Sequence, residues 1–482
     1  MDLKAGDGMD RESLRKPSFH LASTLDDASM TSLHWVIWGL SAMGIFLDGL
    51  DLFVIGISMP LIQKTMGLNA VMTGLIGSAA VIGAILGAVI GGRLTDRWGR
   101  KAIYIADLIV FIVFALFSAF AWDPVSLFVF RFLLGVGVGA DYPICASYVS
   151  EFMPSRSRGR MLVSAFAFQA LGVFAAALGG LAILKLFPEQ TSWRYIIGIG
   201  VIPAILILIC RTKVPESARW LLEHGRVNEA ASIIGRLVPG RKDWVEEQRA
   251  RIPHAEAAAV SKRNDYSALF RSPFMKRTFL GTVPWFLMDI AAYGVGLFTP
   301  IIIGAIAVTG GGIDFLSKDL LATEESALVD IFLVIGFILN ILLVERWGRM
   351  RLQIIGFGGM TLGLVILALA ASRQAEVWYI FGGFIVFNVM MNMGPNATTF
   401  LLPAELFPTN LRASAHGFSA GIAKAGAAIG IFFLPILSER FGVPATMSII
   451  AVITAVGLMI TAICRIETSQ RSLEELNPAD LR

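Results

Sequence analysis

Five ionisable residues stand where an apolar chain offers them little water. Asp48 and Asp51 lie in the run 35–60, Asp141 in 125–150, Asp289 in 278–307 and Lys424 in 413–436. Helices rise about 1.5 Å per residue, which puts Asp48 roughly 21 Å beyond His34. Asp289 and Lys424 stand about 18 Å beyond Arg277 and Arg412 by the same measure. In an apolar layer about 30 Å thick these depths are central. A charged side chain there costs about 2.5–3.5 kcal/mol on insertion scales. Each of the five is therefore a candidate for carrying a proton or an ion, or for one side of an internal ion pair. Around Asp289 the chain reads WFLMDIAAYG, and Trp285, Asp289 and Tyr293 recur every four residues on one helical face. That face offers an indole N–H, a carboxyl and a phenol hydroxyl, groups that suit a small oxyanion. Helix packing accounts equally well for the two aromatics.

The elements that must position these groups are membrane helices. Of 482 residues, 56% are hydrophobic and 16% charged, against about 25% charged in soluble domains. Mean hydropathy is +0.70. Apolar runs near 35–60, 71–92, 102–121, 125–150, 161–184, 195–210, 278–307, 326–344, 352–371, 377–404, 413–436 and 443–464 predict twelve spans in an all-α membrane protein. The 48 glycines suit helices packed backbone to backbone. The sequence predicts an N-terminal tail (1–33), a six-helix bundle (34–211), a linker of short helices (212–276), a second six-helix bundle (277–465) and a C-terminal tail (466–482).

The net charge of +4 does not point to nucleic acid, because the basic residues cluster at the ends of apolar runs. DRWGRK (96–101), SRSRGR (155–160), the stretch 211–277 and ERWGRMR (345–351) carry most of them. The opposite loops hold only Lys64, Lys185, Arg194, Lys318, Arg373 and Arg440. The positive-inside rule places the rich set and both termini in the cytoplasm. The polar first 33 residues lack the apolar core of a signal peptide. Cys145, Cys210 and Cys464 are expected to be free thiols packed among apolar neighbours. No histidine pair has metal-ligand spacing and no catalytic triad is visible. His20, His224 and His254 fall in polar regions, and His416 lies near the start of helix 11. No metal, cofactor or enzymatic chemistry is expected. Gly135, Gly137 and Gly139 follow no strand, so they read as helix-packing positions.

The two halves repeat each other. GRLTDRWGRK (92–101) matches LLVERWGRMR (342–351), pairing Asp96 with Glu345, Arg97 with Arg346 and Arg100 with Arg349. SEFMPSRSRGR (150–160) matches AELFPTNLRAS (404–414), pairing Glu151 with Glu405 and Arg158 with Arg412. A duplicated six-helix unit is the layout of a rocking transporter whose site lies between the halves. The paired motif residues read as salt bridges that hold one conformation closed. Arg131, on the outer part of helix 4, stands either beside a proton path or in a structural pair.

GRLTDRWGRK resembles the signature between helices 2 and 3 of the major facilitator superfamily, and the resemblance covers nearly the whole chain. Within it, GADYPICASYVSE (139–151), WFLMDIAAYG and GPNATTFLLPAELFPTNLRASAHGFSAGIAKAGA (394–427) resemble the phosphate:proton symporters. That resemblance implies that Tyr142, Gln169, Trp285, Asp289, Tyr293 and Asn396 contact substrate. Lys424 offsets charge near the site or pairs with Asp289 when it is empty. Tyr142 and Asn396 are repeat-equivalent and are expected to face each other across the cavity. Asp48, Asp51 and Asp141 are the candidate proton carriers. Two features point elsewhere. DGLD (48–51) is also similar to aromatic-acid:proton symporters, and VPESARWL (214–221) resembles a sugar-porter signature, although the sugar porters' glutamine pair on helix 7 is absent.

A carboxylate beside an anion can be a coupling device. Burial disfavours its ionised form, and a neighbouring anion disfavours it further. Anion binding and protonation then assist each other by linkage. The expected function is proton-coupled import of a small anion, phosphate first, by a monomer in the plasma membrane. A symporter for an organic acid or a sugar is the alternative. A nutrient sensor is weighed against the short tail after Arg465, and a uniporter leaves the intramembrane aspartates unexplained.

Overall fold

The computed structural model describes residues 21–251, 266–307, 315–373, 377–471 and 473–476. His20, His254, the side chain of Lys318 and the remaining parts of the tails and linker lie outside the described residues.

Twelve membrane-length helical segments follow the apolar runs. They are α1 Ser32–Met66, α2 Ala70–Trp98, α3 Arg100–Ala119 and α4 Pro124–Phe152, then α5 as Arg158–Phe166 continued by Phe168–Leu186, and α6 as Trp193–Gly198 continued by Val201–Arg211. In the second half stand α7 Met275–Ala307, α8 Phe315–Trp347, α9 Arg349–Ser372 and α10 as Val377–Met393 continued by Pro395–Leu406. The helical stretch Thr409–Cys464 breaks at Gly442 (φ 77°), giving α11 (409–441) and α12 (443–464). Among the described residues, ten helices are long and apolar enough to cross a membrane; α8 and α10 complete the set of twelve.

Their ends are written locally. The Asn69 side chain accepts from Met72 N at 2.9 Å and starts α2. Asp123 accepts from Ser126 N at 2.6 Å, with Pro124 at the first position of α4. These contacts satisfy amides that the helix itself cannot. The α2–α3 and α8–α9 turns pass through Gly99 (φ 100°) and Gly348 (φ 83°). Side chains rarely tolerate such angles, so the repeated DRWGR and ERWGR motifs carry their own reversal. Between the halves, Ala218–Glu223, Val227–Leu237 and Lys242–Arg251 form short helices.

Close backbone contact sets the packing. A Cβ on Gly135 or Gly139 of α4 would stand 2.0 or 2.2 Å from the carbonyl oxygens of Ala80 and Ala84 on α2, and one on Gly137 2.8 Å from that of Asp107 on α3. The halves meet in the same way. Gly92 of α2 and Gly417 of α11 leave room for Ala413 O and Ala88 O, at 2.3 and 2.1 Å from their missing Cβ atoms. Membrane helices without a water-driven hydrophobic force between them rely on such approach.

Candidate functional site

Two glycines bring the candidate site residues of α7 and α11 together. A Cβ on Gly426 or Gly430 of α11 would stand 2.4 Å from Phe286 O or Ile290 O of α7. With α11 pressed on α7 there, Lys424 Nζ reaches Tyr293 Oη at 2.7 Å and Asp289 Oδ2 at 3.4 Å. Its ammonium also stands over two rings, 4.5 Å from the Tyr293 centroid and 5.0 Å from that of Tyr142. Gln169 Nε2 on α5 donates to Tyr142 Oη on α4 at 2.9 Å. Lys424 thus joins α7, α11 and α4 at one point, and Tyr142 carries the connection on to α5. Asp289, Lys424, Trp285 and Tyr142 are all buried.

An aromatic cluster adjoins this group. Phe166 of α5 stacks on Phe400 of α10 at 4.4 Å, and Phe337 of α8 meets Phe166 edge-on at 5.8 Å. Trp285 and Tyr142 each stand edge-on to Phe400 at 6.1 Å. His416 of α11 hydrogen-bonds Phe400 O at 2.9 Å.

The predicted residues fall into distinct groups. Tyr142, Gln169, Asp289, Tyr293 and Lys424 form the group just described, with Trp285 one turn from Asp289. Asn396 donates to Asn392 Oδ1 at 2.7 Å along its own helix. Asp51 is held in a two-toothed pair by Arg131, at 2.6 and 2.9 Å. Asp141 takes a guanidinium from Arg211 at 2.9 Å. Asp48 is buried, and its Oδ2 has no hydrogen-bond partner among the described residues.

The repeated motifs tie the halves together at the basic face. Arg100 Nη2 donates to Glu151 Oε1 at 2.8 Å and to Thr409 O at 2.8 Å across the interface, and forms an ion pair with Asp96 Oδ1 at 3.2 Å. Arg412 Nη1 reaches Glu151 Oε1 from the other half at 3.0 Å. Asp96 accepts Ser414 N at 2.7 Å, and its repeat partner Glu345 accepts Arg160 N at 2.9 Å. Carboxylates thus sit at the amide ends of α11 and α5, where the helix dipole favours them. Arg349 pairs with Glu405 at 3.0 Å and Glu345 at 2.7 Å. Arg158 bonds Asp26 of the N-terminal segment. Arg97 and Arg346 are exposed and stand outside this network.

Four participants escaped the sequence reading. Glu216 accepts Arg100 N at 2.9 Å and Lys101 N at 3.1 Å, and Glu467 accepts Arg349 N at 2.9 Å and Met350 N at 3.2 Å. Their shared Glu-Ser/Thr context after each half, within a few residues of the repeat offset, was the available signal. Asp107 lies inside the run 102–121 as plainly as Asp48 lies in its own. Arg211 closes a run, where arginine ordinarily marks topology. Among the described residues, no group of three or more His, Cys, Asp or Glu is placed to hold a metal ion.

The family profile described as "Sugar (and other) transporter" matches residues 39–479. The metabolite transport protein YaaU of Escherichia coli is 30% identical over 463 residues, 95% of this chain and 97% of that protein. A protein of Arabidopsis thaliana named for inorganic phosphate transport, 1-6, is 30% identical over 515 residues, 95% of this chain and 96% of that one. Low affinity inorganic phosphate transporter 4 of Medicago truncatula is 29% identical, covering 95% and 94%. In fold, the proton:xylose symporter XylE bound to 6-bromo-6-deoxy-D-glucose superposes with a TM-score of 0.81 at 20% identity, over 94% of this chain and all of that one. The chain belongs to the sugar (and other) transporter family, within the major facilitator superfamily of twelve-helix membrane transporters.

Proposed function

We propose that the chain is a proton-coupled symporter that imports inorganic phosphate by alternating access. The observation that carries this reading is the buried Asp289–Lys424–Tyr293 group beside Tyr142 and Gln169. It offers one cation, one carboxyl, two phenol hydroxyls and an amide. An incoming oxyanion takes Lys424 from Asp289. Asp289, left beside a second negative charge in a dehydrated site, is then favoured to bind a proton. As a neutral acid it donates a hydrogen bond to the anion, so substrate and proton cross together. Asp48 and Asp141 carry the proton between water and this site. The ion-paired basic face is the cytoplasmic gate, and it parts when the halves rock. Relatives named for inorganic phosphate transport, near 30% identity over almost the whole chain, support phosphate over other anions.

A second reading, an organic-acid or sugar symporter, rests on the Glu216–Ser217 contacts of VPESARWL, where Ser217 bonds Glu151, together with the family description. One experiment separates the two. Radiolabelled phosphate uptake is measured in proteoliposomes with an alkaline lumen, with and without an uncoupler, for the native chain and Asp289→Asn. Uncoupler-sensitive accumulation that the variant abolishes supports the phosphate reading. Protein that ignores phosphate but accumulates an aromatic acid or a sugar overturns it.

A further inference from the structure

A second buried charge cluster lies within the first half, away from the Asp289–Lys424 pair. Arg211, at the end of α6, donates through Nη2 to Asp141 Oδ1 at 2.9 Å. Through Nη1 it reaches Asp107 Oδ1 and Oδ2 at 3.2 and 3.3 Å and Tyr104 O at 2.9 Å. Its guanidinium lies 3.7 Å from the Tyr104 ring centroid, and Cys145 Sγ donates to Asp141 Oδ2 at 3.2 Å. The room is made by Gly44 of α1, where a Cβ would stand 2.2 Å from Arg211 Nη2 and 2.3 Å from Asp141 Oδ2. Asp48 joins Asp107, Asp141 and Arg211 in lining one cavity of about 10 Å³. That is about the room one water needs. Asp48 Oδ2 is buried there with no partner among the described residues.

The charges do not balance. Among the described residues, Asp48 from α1, Asp107 from α3 and Asp141 from α4 line this cavity with one guanidinium, Arg211 from α6, which pairs with Asp107 and Asp141. Tyr104 and Cys145 are neutral. The other cations nearby are engaged elsewhere, Arg131 by Asp51 and Lys424 of α11 by Asp289 and Tyr293. Unpaired carboxylates in a dehydrated site repel by several kcal/mol, and a shared proton relieves that.

We infer that Asp107 and Arg211 are positioning residues for the proton step, with Arg211 shared between Asp107 and Asp141 so that the guanidinium moves onto Asp107 when Asp141 is protonated. This rests on Asp48 and Asp141 being the proton carriers. The Asp48 O–H proton passes to the cavity water, which hands one of its own protons to Asp141. Asp48 is left a carboxylate, Asp141 a neutral acid, and the water is unchanged. Arg211 Nη2 gives up its ion pair with Asp141, and Asp107 takes the full charge.

The test uses the full chain in proteoliposomes and reads the external-pH profile of phosphate uptake beside phosphate exchange at equal pH, which needs no net proton movement. In Asp107→Asn, Asp141 is the one carboxylate left to Arg211, so the midpoint of uptake is expected to fall by about one pH unit. In Arg211→Gln, Asp141 loses its cation and the midpoint is expected to rise. Exchange changes less than about twofold in both. Should Arg211→Gln fail to fold, Asp107→Asn alone decides. An unmoved midpoint in Asp107→Asn, or shifts of one sign in both variants, overturns the inference. If the native chain moves no phosphate, the functional reading fails instead. The inference is then read by infrared titration of the carboxyl band that Asp141→Asn deletes, whose midpoint must still fall in Asp107→Asn.

Discussion

Arg412→Gln isolates the link between the halves. Arg412 spans from α11 to Glu151 on α4 at 3.0 Å, and both side chains are buried. The substitution leaves no orphaned carboxylate, since Glu151 keeps Arg100 at 2.8 and 3.2 Å and Ser217. What is lost is one charged hydrogen bond that crosses between the halves. Such bonds contribute about 1.5–3 kcal/mol, a factor of roughly 13 to 160 in an equilibrium constant. A chain resting 99:1 in favour of the sealed form would pass to between about 8:1 and about 0.6:1. The assay is pulsed dipolar spectroscopy between spin labels at Arg97 and Arg346, exposed on opposite halves of that face. The distance distribution in Arg412→Gln should gain a longer component, and Glu151→Gln added to Arg412→Gln should shift it by less than Glu151→Gln does alone. An unchanged distribution would refute the view that this pair holds the halves together.

Four further outcomes follow from the same structure. Tyr293→Phe removes a hydroxyl that the proposed function gives to the oxyanion, now bonded by Lys424 at 2.7 Å, and should raise the KM for phosphate uptake by roughly 13-fold or more, the low end for one charged hydrogen bond. Gly417→Ala places a methyl 2.1 Å from Ala88 O; overpacking of this kind costs about 1–3 kcal/mol, read as a lower Tm in detergent and a more open basic face by the same labels. Glu216→Gln and Glu467→Gln each weaken a carboxylate at a helix N-terminus and should lower stability by about 0.3–1 kcal/mol apiece, seen as matched falls in Tm. Backbone donation from Ser126 holds the Asp123 carboxyl below its ordinary range. Its folded pKa is depressed, so the stabilisation is full above the unfolded value and disappears as pH falls through the folded one. The Tm gap between the native chain and Asp123→Ala should therefore narrow when melts are run at falling pH through the acid range.

Hydropathy alone determined where this chain is helical and how many times it crosses the apolar layer, because helix formation in a membrane depends on local runs of side chains. The duplication was equally legible, since paired motifs keep their order and spacing whatever they touch. So was the oddity of Asp48, Asp141, Asp289 and Lys424, each costly at its depth. Partnership was not legible. Tertiary structure decided that Lys424 meets Asp289, that Asp51 belongs to Arg131, that Asn396 bonds along its own helix, and that Arg211 and Asp107 join Asp141. Those outcomes turn on how each helix is rotated and how closely it approaches its neighbour. Glycines set that approach, such as Gly44 beside Arg211 and Gly426 beside Phe286 O. A glycine in a sequence does not say which backbone will press against it, so the contacts it permits appear only when the helices are packed.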